Sequence, residues 1–177
     1  MLTGFFDISP GIYNLWIFSA IFFVISTGIM FFFPKHNIKK FIEVPDTGIK
    51  TKLNKLSYYL FFFISIFIPI KQNTLWFYFG STVFSVGIIL YTVSMFYFAI
   101  SEYDLPVTQG IYKILRHPVY ISFFLITAGM IIAGTSGFLL IVTILHFYTL
   151  IFIIKEEEKE CEKKYGNLYI EYKQKTF

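Results

Sequence analysis

The chain is 177 residues long, and 56% of these residues are hydrophobic while only 15% are charged. A water-soluble domain of this length could not bury so much apolar surface, so the composition predicts residence in a membrane. The formal net charge of +4 comes from short basic blocks between apolar runs. Such blocks are typical of membrane-orienting charge, and we expect no nucleic-acid partner. The single cysteine, Cys161, excludes an intrachain disulfide.

Five apolar runs predict five membrane spans. The first, residues 11–33, has no basic region before it and no cleavage site after it, so we predict a retained helix and not a signal peptide. The second, residues 56–70, is short for a full crossing, and the third covers residues 75–100. The fourth, residues 118–133, and the fifth, residues 138–154, are separated by a four-residue turn with glycine at both ends. This pair predicts a helical hairpin.

The lysine and arginine residues predict the orientation of the spans. With five spans, residues 34–55, 101–117 and 155–177 share one side and carry fourteen of the fifteen basic residues, leaving only Lys71 on the other. By the positive-inside rule this side is cytoplasmic, which places the N-terminus outside. The predicted fold class is all-α, a polytopic transmembrane helix bundle in one domain, residues 1–177, with a cytoplasmic helical tail.

The connector between the third and fourth spans carries a motif, Gly-x-Tyr-x-x-x-Arg-His-Pro-x-Tyr, followed at once by a short apolar run. Gly110 offers a flexible turn, and Pro118 suits the first turn of a helix. Taken singly, Arg116 could be an ordinary positive charge that orients the neighbouring span. His117, taken singly, could be a solvated histidine at the membrane face. The motif residues are Gly110, Tyr112, Arg116, His117, Pro118 and Tyr120.

The charged tail carries a second pattern. Glu156, Glu157 and Glu158 follow one another at about 100° per residue on a helix, so at least one faces the bundle. An ionisable group in that position is costly and usually functional. Glu158 and Glu162 form a like-charge i, i+4 pair, which a cationic ligand would rationalise. The alternative is a helix that extends into water and ends at Gly166.

Together, the two patterns resemble the signature of the isoprenylcysteine carboxyl methyltransferase and phospholipid methyltransferase families. The resemblance runs from Tyr97 to the C-terminus, where the tail matches a paired-glutamate helix with a Gly-x-x-Tyr-x-x-Tyr ending. It implies an integral membrane enzyme that uses S-adenosylmethionine on a lipid-like acceptor. Residues 1–74 hold two spans without a motif, and residues 75–177 would form the catalytic core, with the cofactor-binding connector at 101–120 and the tail at 155–177.

The resemblance also implies roles for individual residues, and it implies no metal ion. Arg116 would orient an anionic group of the cofactor or the acceptor. Glu157 or Glu158 would take a proton from an amine acceptor or steer its charge. Tyr97 matches less closely, because family members often have an amide there. The implied cofactor contacts are Tyr97, Asp104, Leu105, Pro106, Val107, Tyr112, His117, Pro118, Val119, Tyr120 and Glu157.

The acceptor is predicted only as a class of amphiphile in the lipid bilayer. It is the carboxylate of an isoprenylated cysteine, alone or on a prenylated peptide, or a related small molecule; the alternative is a phospholipid amine. Prenylcysteine methyltransferases commonly have an arginine just before the glutamates, where it resembles an anchor for the substrate carboxylate. This chain has Ile153, Ile154 and Lys155 there, and a lysine lacks the planar bidentate fork of arginine.

Two other interpretations stay open. Sterol reductases, which use NADPH, end in a pattern that Cys161, Lys164, Tyr165 and Gly166 fit, but they generally carry asparagine two residues after the histidine, where this chain has Val119. The other is a membrane scaffold or binding protein without catalytic activity.

Overall fold

The computed structural model describes residues 3–33, 46–102 and 104–176. Within these ranges the chain forms α-helices and two short 3-10 helices but no β-strand, so the all-α prediction is confirmed. Residues 34–45, which contain three of the lysines used to predict the topology, lie outside the described residues. The α-helices of the described ranges are α1 (Trp16–Phe32), α2 (Ile49–Ser65), α3 (Leu75–Ala99), α4 (Pro118–Gly134), α5 (Gly137–Tyr165) and α6 (Asn167–Lys175).

Helices α3 and α5 are the two in the described part of the chain that are both long and apolar enough to cross a membrane. Their 25 and 29 residues exceed the roughly 20 that span a hydrocarbon core of about 30 Å. The apolar stretch of α5 ends at Ile154, and its charged last turns lie beyond that stretch. Helices α1 and α4 are apolar but have 17 residues each, a length of about 26 Å.

The second predicted span is wrong in its bounds. Helix α2 begins in the polar segment and ends at Ser65, so residues 66–70 are not helical although they continue the apolar run. Their backbone instead pairs with the segment before α1: the Ile70 N–H donates to the Tyr13 carbonyl at 3.0 Å. Because these partners come from a distant part of the chain, hydropathy alone could not reveal where the helix stops.

Helices α3 and α4 pack so closely that their backbones touch. A Cβ atom added to Gly129 would lie 2.5 Å from the backbone nitrogen of Phe84, and one added to Gly80 would lie 2.5 Å from that of Ala133. Small residues commonly allow such an approach between membrane helices. Since α3 and α4 are neighbours, the connector between them leaves and re-enters the bundle at the same end.

Helices α4 and α5 are joined by only two residues, Thr135 and Ser136, and lie side by side as the predicted hairpin. Aromatic side chains fill the space between them, with the ring centroids of Phe124 and Phe147 5.2 Å apart. Helix α4 therefore makes its closest backbone contact with α3 and not with its hairpin partner.

Helix α5 also packs against α2 through buried polar groups. The Asn54 side-chain amide donates to the His146 carbonyl at 2.9 Å and to the Thr149 hydroxyl at 3.0 Å. The Ser57 hydroxyl lies 3.1 Å from Nδ1 of His146. Such hydrogen bonds commonly hold membrane helices together, so this cluster fixes α2 against α5.

Gly166, at φ +56°, ends α5 as predicted and turns the chain into α6. The new helix folds back against the connector, where the Tyr172 hydroxyl donates to the Tyr112 carbonyl at 2.8 Å and Nη1 of Arg116 donates to the Lys173 carbonyl at 3.2 Å. The connector, the charged end of α5 and α6 thus meet at one end of the bundle.

Candidate functional site

A cavity of about 200 Å³ lies between the connector, the charged end of α5 and α6. We call it the inner pocket. Its walls combine aromatic rings with both acidic and basic side chains. The residues that line it are Phe98, Pro106, Val107, Tyr112, Arg116, His117, Glu157, Glu160, Cys161, Lys164, Tyr165, Tyr169 and Tyr172.

A second cavity, the outer groove, has a volume of about 400 Å³ and adjoins the inner pocket, because Pro106 and Tyr172 line both. Sites for drug-sized ligands commonly measure about 300–1,000 Å³; the outer groove lies within this range and the inner pocket below it. The other residues of the outer groove are Leu105, Thr108, Lys113, Leu168, Glu171, Lys175 and Thr176.

The structure brings several of the residues named from the sequence into one place. The inner pocket is lined by Pro106, Val107, Tyr112, Arg116, His117 and Glu157. Leu105 lies in the outer groove. Two further residues contact the lining without being part of it. Glu158 bonds to His117, and Tyr120 bonds to Glu157.

Four other named residues line neither cavity. The ring of Tyr97 packs against Gly110, where an added Cβ would lie 2.2 Å from it. Asp104 is exposed. Pro118 is buried in the first turn of α4, and Val119 packs against the hydrophobic core. These residues shape the connector or start α4, and they do not face the inner pocket.

Glu157 is a half-buried carboxylate in the wall of the inner pocket. The Tyr120 hydroxyl donates to its Oε2 at 2.8 Å and fixes its direction. Burial raises the pKa of the Glu157 carboxyl, while the nearby His117 and the hydrogen bond from Tyr120 favour its charged form. A carboxyl group in such surroundings can accept a proton at a higher pH than an exposed glutamate can.

Glu158 is surrounded by basic side chains. Its Oε1 lies 3.1 Å from Nε2 of His117 and 3.5 Å from Nε of Arg116, and its Oε2 lies 2.7 Å from Nζ of Lys173. Burial disfavours the charged form of Glu158, but the hydrogen bonds from Lys173 and His117 and the charge of Arg116 together lower its pKa. Glu158 therefore stays ionised and holds two residues of the pocket wall.

Sequence reasoning missed Lys173. Its Nζ also lies 3.1 Å from Oε1 of Glu162, so it bridges the like-charge pair that Glu158 and Glu162 form. The like-charge pair indicates that a cation lies nearby. The sequence alone suggests a cationic ligand, whereas the structure has the Lys173 side chain there. The tail tyrosines were recognised as a motif and not as site residues; Tyr165, Tyr169 and Tyr172 line the inner pocket.

The phospholipid methyltransferase family model matches residues 77–168, slightly more than half of the chain. The matched segment includes most of α3, the connector, α4 and α5, and therefore most of the inner pocket. No curated protein and no solved structure matches the chain significantly. The match in the segment that builds the pocket shows that the chain belongs to the phospholipid methyltransferase family.

Proposed function

We propose that this membrane protein transfers a methyl group from S-adenosylmethionine to the amine of a phospholipid headgroup. The observation that carries the proposal is the half-buried Glu157 carboxylate in the inner pocket, with Tyr120 bound to it at 2.8 Å. Methyltransferase chemistry follows from the family, and the cofactor and the acceptor are our inference from the pocket.

The residues of the inner pocket fit S-adenosylmethionine. When bound, this cofactor supplies an electrophilic methyl group on a positively charged sulfur. Before it takes a proton from the acceptor, Glu157 would balance the positive charge, and the basic side chains of Arg116 and Lys164 would face the cofactor's carboxylate. Phe98 and Tyr169 provide aromatic surface for the adenine ring. The inner pocket alone is smaller than most such sites, so we infer that the cofactor also reaches the outer groove.

An amine acceptor gives Glu157 a chemical task. A protonated amine has no free electron pair, so it must lose a proton before it can accept a methyl group. Glu157 is the carboxylate we expect to take that proton, and its raised pKa suits a general base better than that of an exposed carboxylate. Burial also excludes water from the reacting groups.

A prenylated cysteine carboxylate is the second candidate acceptor. It would need a basic anchor and no general base, and Arg116 and Lys164 in the pocket wall favour it. Lys155, which stands where the prenylcysteine enzymes commonly have arginine, is exposed and lines neither cavity. The amine acceptor therefore has the stronger support.

The acceptor can be identified by the bond that is formed. Membranes containing the protein are incubated with methyl-labelled S-adenosylmethionine, and the labelled lipid is treated with base. We expect a label that resists base, since N-methyl groups are stable where methyl esters hydrolyse. Base-labile label would favour the carboxylate acceptor. Thermal stabilisation by NADPH but not by S-adenosylhomocysteine would overturn the methyltransferase proposal in favour of a reductase.

The role of Glu157 has a matched control on the same helix. Glu157→Gln should lower turnover by about 100-fold or more, the usual contribution of a general base. Glu156→Gln changes the neighbouring glutamate, which pairs with Lys159 outside both cavities, and should change turnover less than twofold. Equal effects of the two substitutions would contradict the proposed role.

We also propose the five-span topology, with the inner pocket and the tail in the cytoplasm. The charge count and the four apolar helices α1, α3, α4 and α5 support it, and α2 would be the fifth span. In a Cys161→Ser background, cysteine replaces either Gln72, in the exposed turn before α3, or Gln174, in α6. A membrane-impermeant maleimide should label the first in intact cells and the second only after lysis. The reverse pattern would overturn the orientation.

A further inference from the structure

Lys173 occupies a central position behind the inner pocket although it does not line it. Its Nζ lies 2.7 Å from Oε2 of Glu158 and 3.1 Å from Oε1 of Glu162. Both glutamates belong to α5, whereas Lys173 belongs to α6, on the other side of the Gly166 turn. The contact therefore fixes the last helix to the one before it.

The same contact acts on two residues of the pocket wall. Glu158 uses its other oxygen, Oε1, to hold His117 at 3.1 Å and Arg116 at 3.5 Å. Nε of Arg116 is buried and finds no hydrogen-bond acceptor within the described ranges. The negative charge of Glu158, 3.5 Å away, therefore offsets the cost of burying this part of the guanidinium group. If the ion pair between Glu158 and Lys173 were removed, the Glu158 carboxylate would be free to rotate away from His117 and Arg116.

The backbone of Lys173 contributes as well. Its carbonyl accepts the hydrogen bond from Nη1 of Arg116 at 3.2 Å. The preceding residue, Tyr172, lines the inner pocket and donates to the Tyr112 carbonyl at 2.8 Å. Lys173 is thus joined to the pocket by its side chain, its carbonyl and its neighbour in sequence.

We propose that Lys173 is a positioning residue: it holds Glu158 in the orientation that directs Arg116 and His117 toward the inner pocket, and it keeps α6 in place as a wall of that pocket. The inference rests on the proposed function, because its consequence is measured on cofactor binding. The Lys173 side chain is 36% exposed, and solvent weakens an exposed ion pair; the Glu158 side chain, however, is only 15% exposed and shares a network with three basic groups.

The test compares three variants of the full-length protein in detergent by their affinity for S-adenosylhomocysteine. Lys173→Met keeps the length of the side chain without the charge and should weaken binding about tenfold. Lys173→Arg restores the charge and should bind within about threefold of the wild type. Lys163→Met removes an exposed lysine of α5 that lines neither cavity and should leave binding unchanged.

The pH profile separates positioning from a general loss of structure. Glu158 faces Arg116 and His117 from the connector and Lys173 and Tyr169 from α6, and it is flanked by Glu157 and Glu162 on its own helix. Because its pKa is lowered, Glu158 stays charged until the pH falls below the usual pKa range of a glutamate. Without Lys173 this pKa rises, so binding should be lost at a higher pH as the solution is acidified. A purely structural role would weaken binding equally at every pH.

The outcomes distinguish this inference from the proposed function. If the wild-type protein does not bind S-adenosylhomocysteine, the proposed function fails and the inference with it. If the wild type binds and Lys173→Met binds equally well with an unchanged pH profile, only the positioning role is overturned. Melting temperatures of all variants, measured without ligand, check that each protein is folded.

Discussion

The hydroxyl of Tyr120 donates a hydrogen bond of 2.8 Å to Oε2 of Glu157 and joins the first turn of α4 to the charged end of α5. Elsewhere the two helices are separated by aromatic rings. The contact closes the hairpin at the end where the inner pocket lies. It also decides which way the buried carboxylate points.

Tyr120→Phe tests this contact. The phenol favours the charged form of Glu157, so its loss should raise the pKa of that carboxyl further. A carboxyl with a raised pKa becomes protonated sooner as the pH falls. The acidic limb of the turnover profile should therefore move to higher pH. Tyr148→Phe, at an exposed position of α5, is the control, and an identical profile for both variants would refute the prediction.

Gly129→Ala should destabilise the protein because α3 and α4 touch there. The new Cβ would lie 2.5 Å from the Phe84 nitrogen, and such overpacking typically costs about 1–3 kcal/mol. The measurement is the midpoint of thermal unfolding in detergent. Gly28→Ala in α1 is the matched control, because nothing lies within 4 Å of its new Cβ. A lower midpoint for the control as well would point to a general effect of alanine.

Gly110→Ala should weaken cofactor binding through the connector. Gly110 has φ +56°, and the added Cβ would lie 2.2 Å from the Tyr97 ring. Gly48 also has a positive φ, +67°, but open space around it, so Gly48→Ala strains the backbone without the collision. We expect a loss of S-adenosylhomocysteine affinity of about tenfold or more in the first variant alone. Equal affinities would show that the packing of Tyr97 does not shape the inner pocket.

Asn54→Leu should separate α2 from α5. The substitution removes the amide that donates to the His146 carbonyl and the Thr149 hydroxyl. Polar contacts between membrane helices contribute about 0.6 kcal/mol on average and up to about 1.7, so we expect a loss near the upper value in thermal unfolding. Thr92→Val, at an exposed position where the hydroxyl bonds only within its own helix, should cost less.

The local parts of the fold could be predicted from the sequence. Pro118 starts α4 and Gly166 ends α5 as expected, because proline and glycine act on the backbone where they stand. The connector motif and the glutamates were also expected to form one site, and several of their side chains do line one cavity. The helix ends needed only local patterns, whereas the joining of the connector to the glutamates about 40 residues later came from the family resemblance.

The parts that depended on distant partners could not be predicted. The end of α2 is determined by hydrogen bonds to the segment before α1, and Lys173 reaches Glu158 only because α6 folds back at Gly166. A signal for the contact of α3 and α4 did exist: Gly129 and Ala133 are small residues four positions apart, a pattern common between membrane helices. It does not identify the partner helix, which required the structure.

The backbone contact between α3 and α4 has a consequence for the connector. Holding the two ends of a loop at a fixed separation removes the entropy cost of closing it. The connector leaves α3 and enters α4, so the glycines where these helices touch help to hold its two ends together. We therefore expect substitutions at Gly80 or Gly129 to loosen the two ends of the connector, although neither glycine lines a cavity.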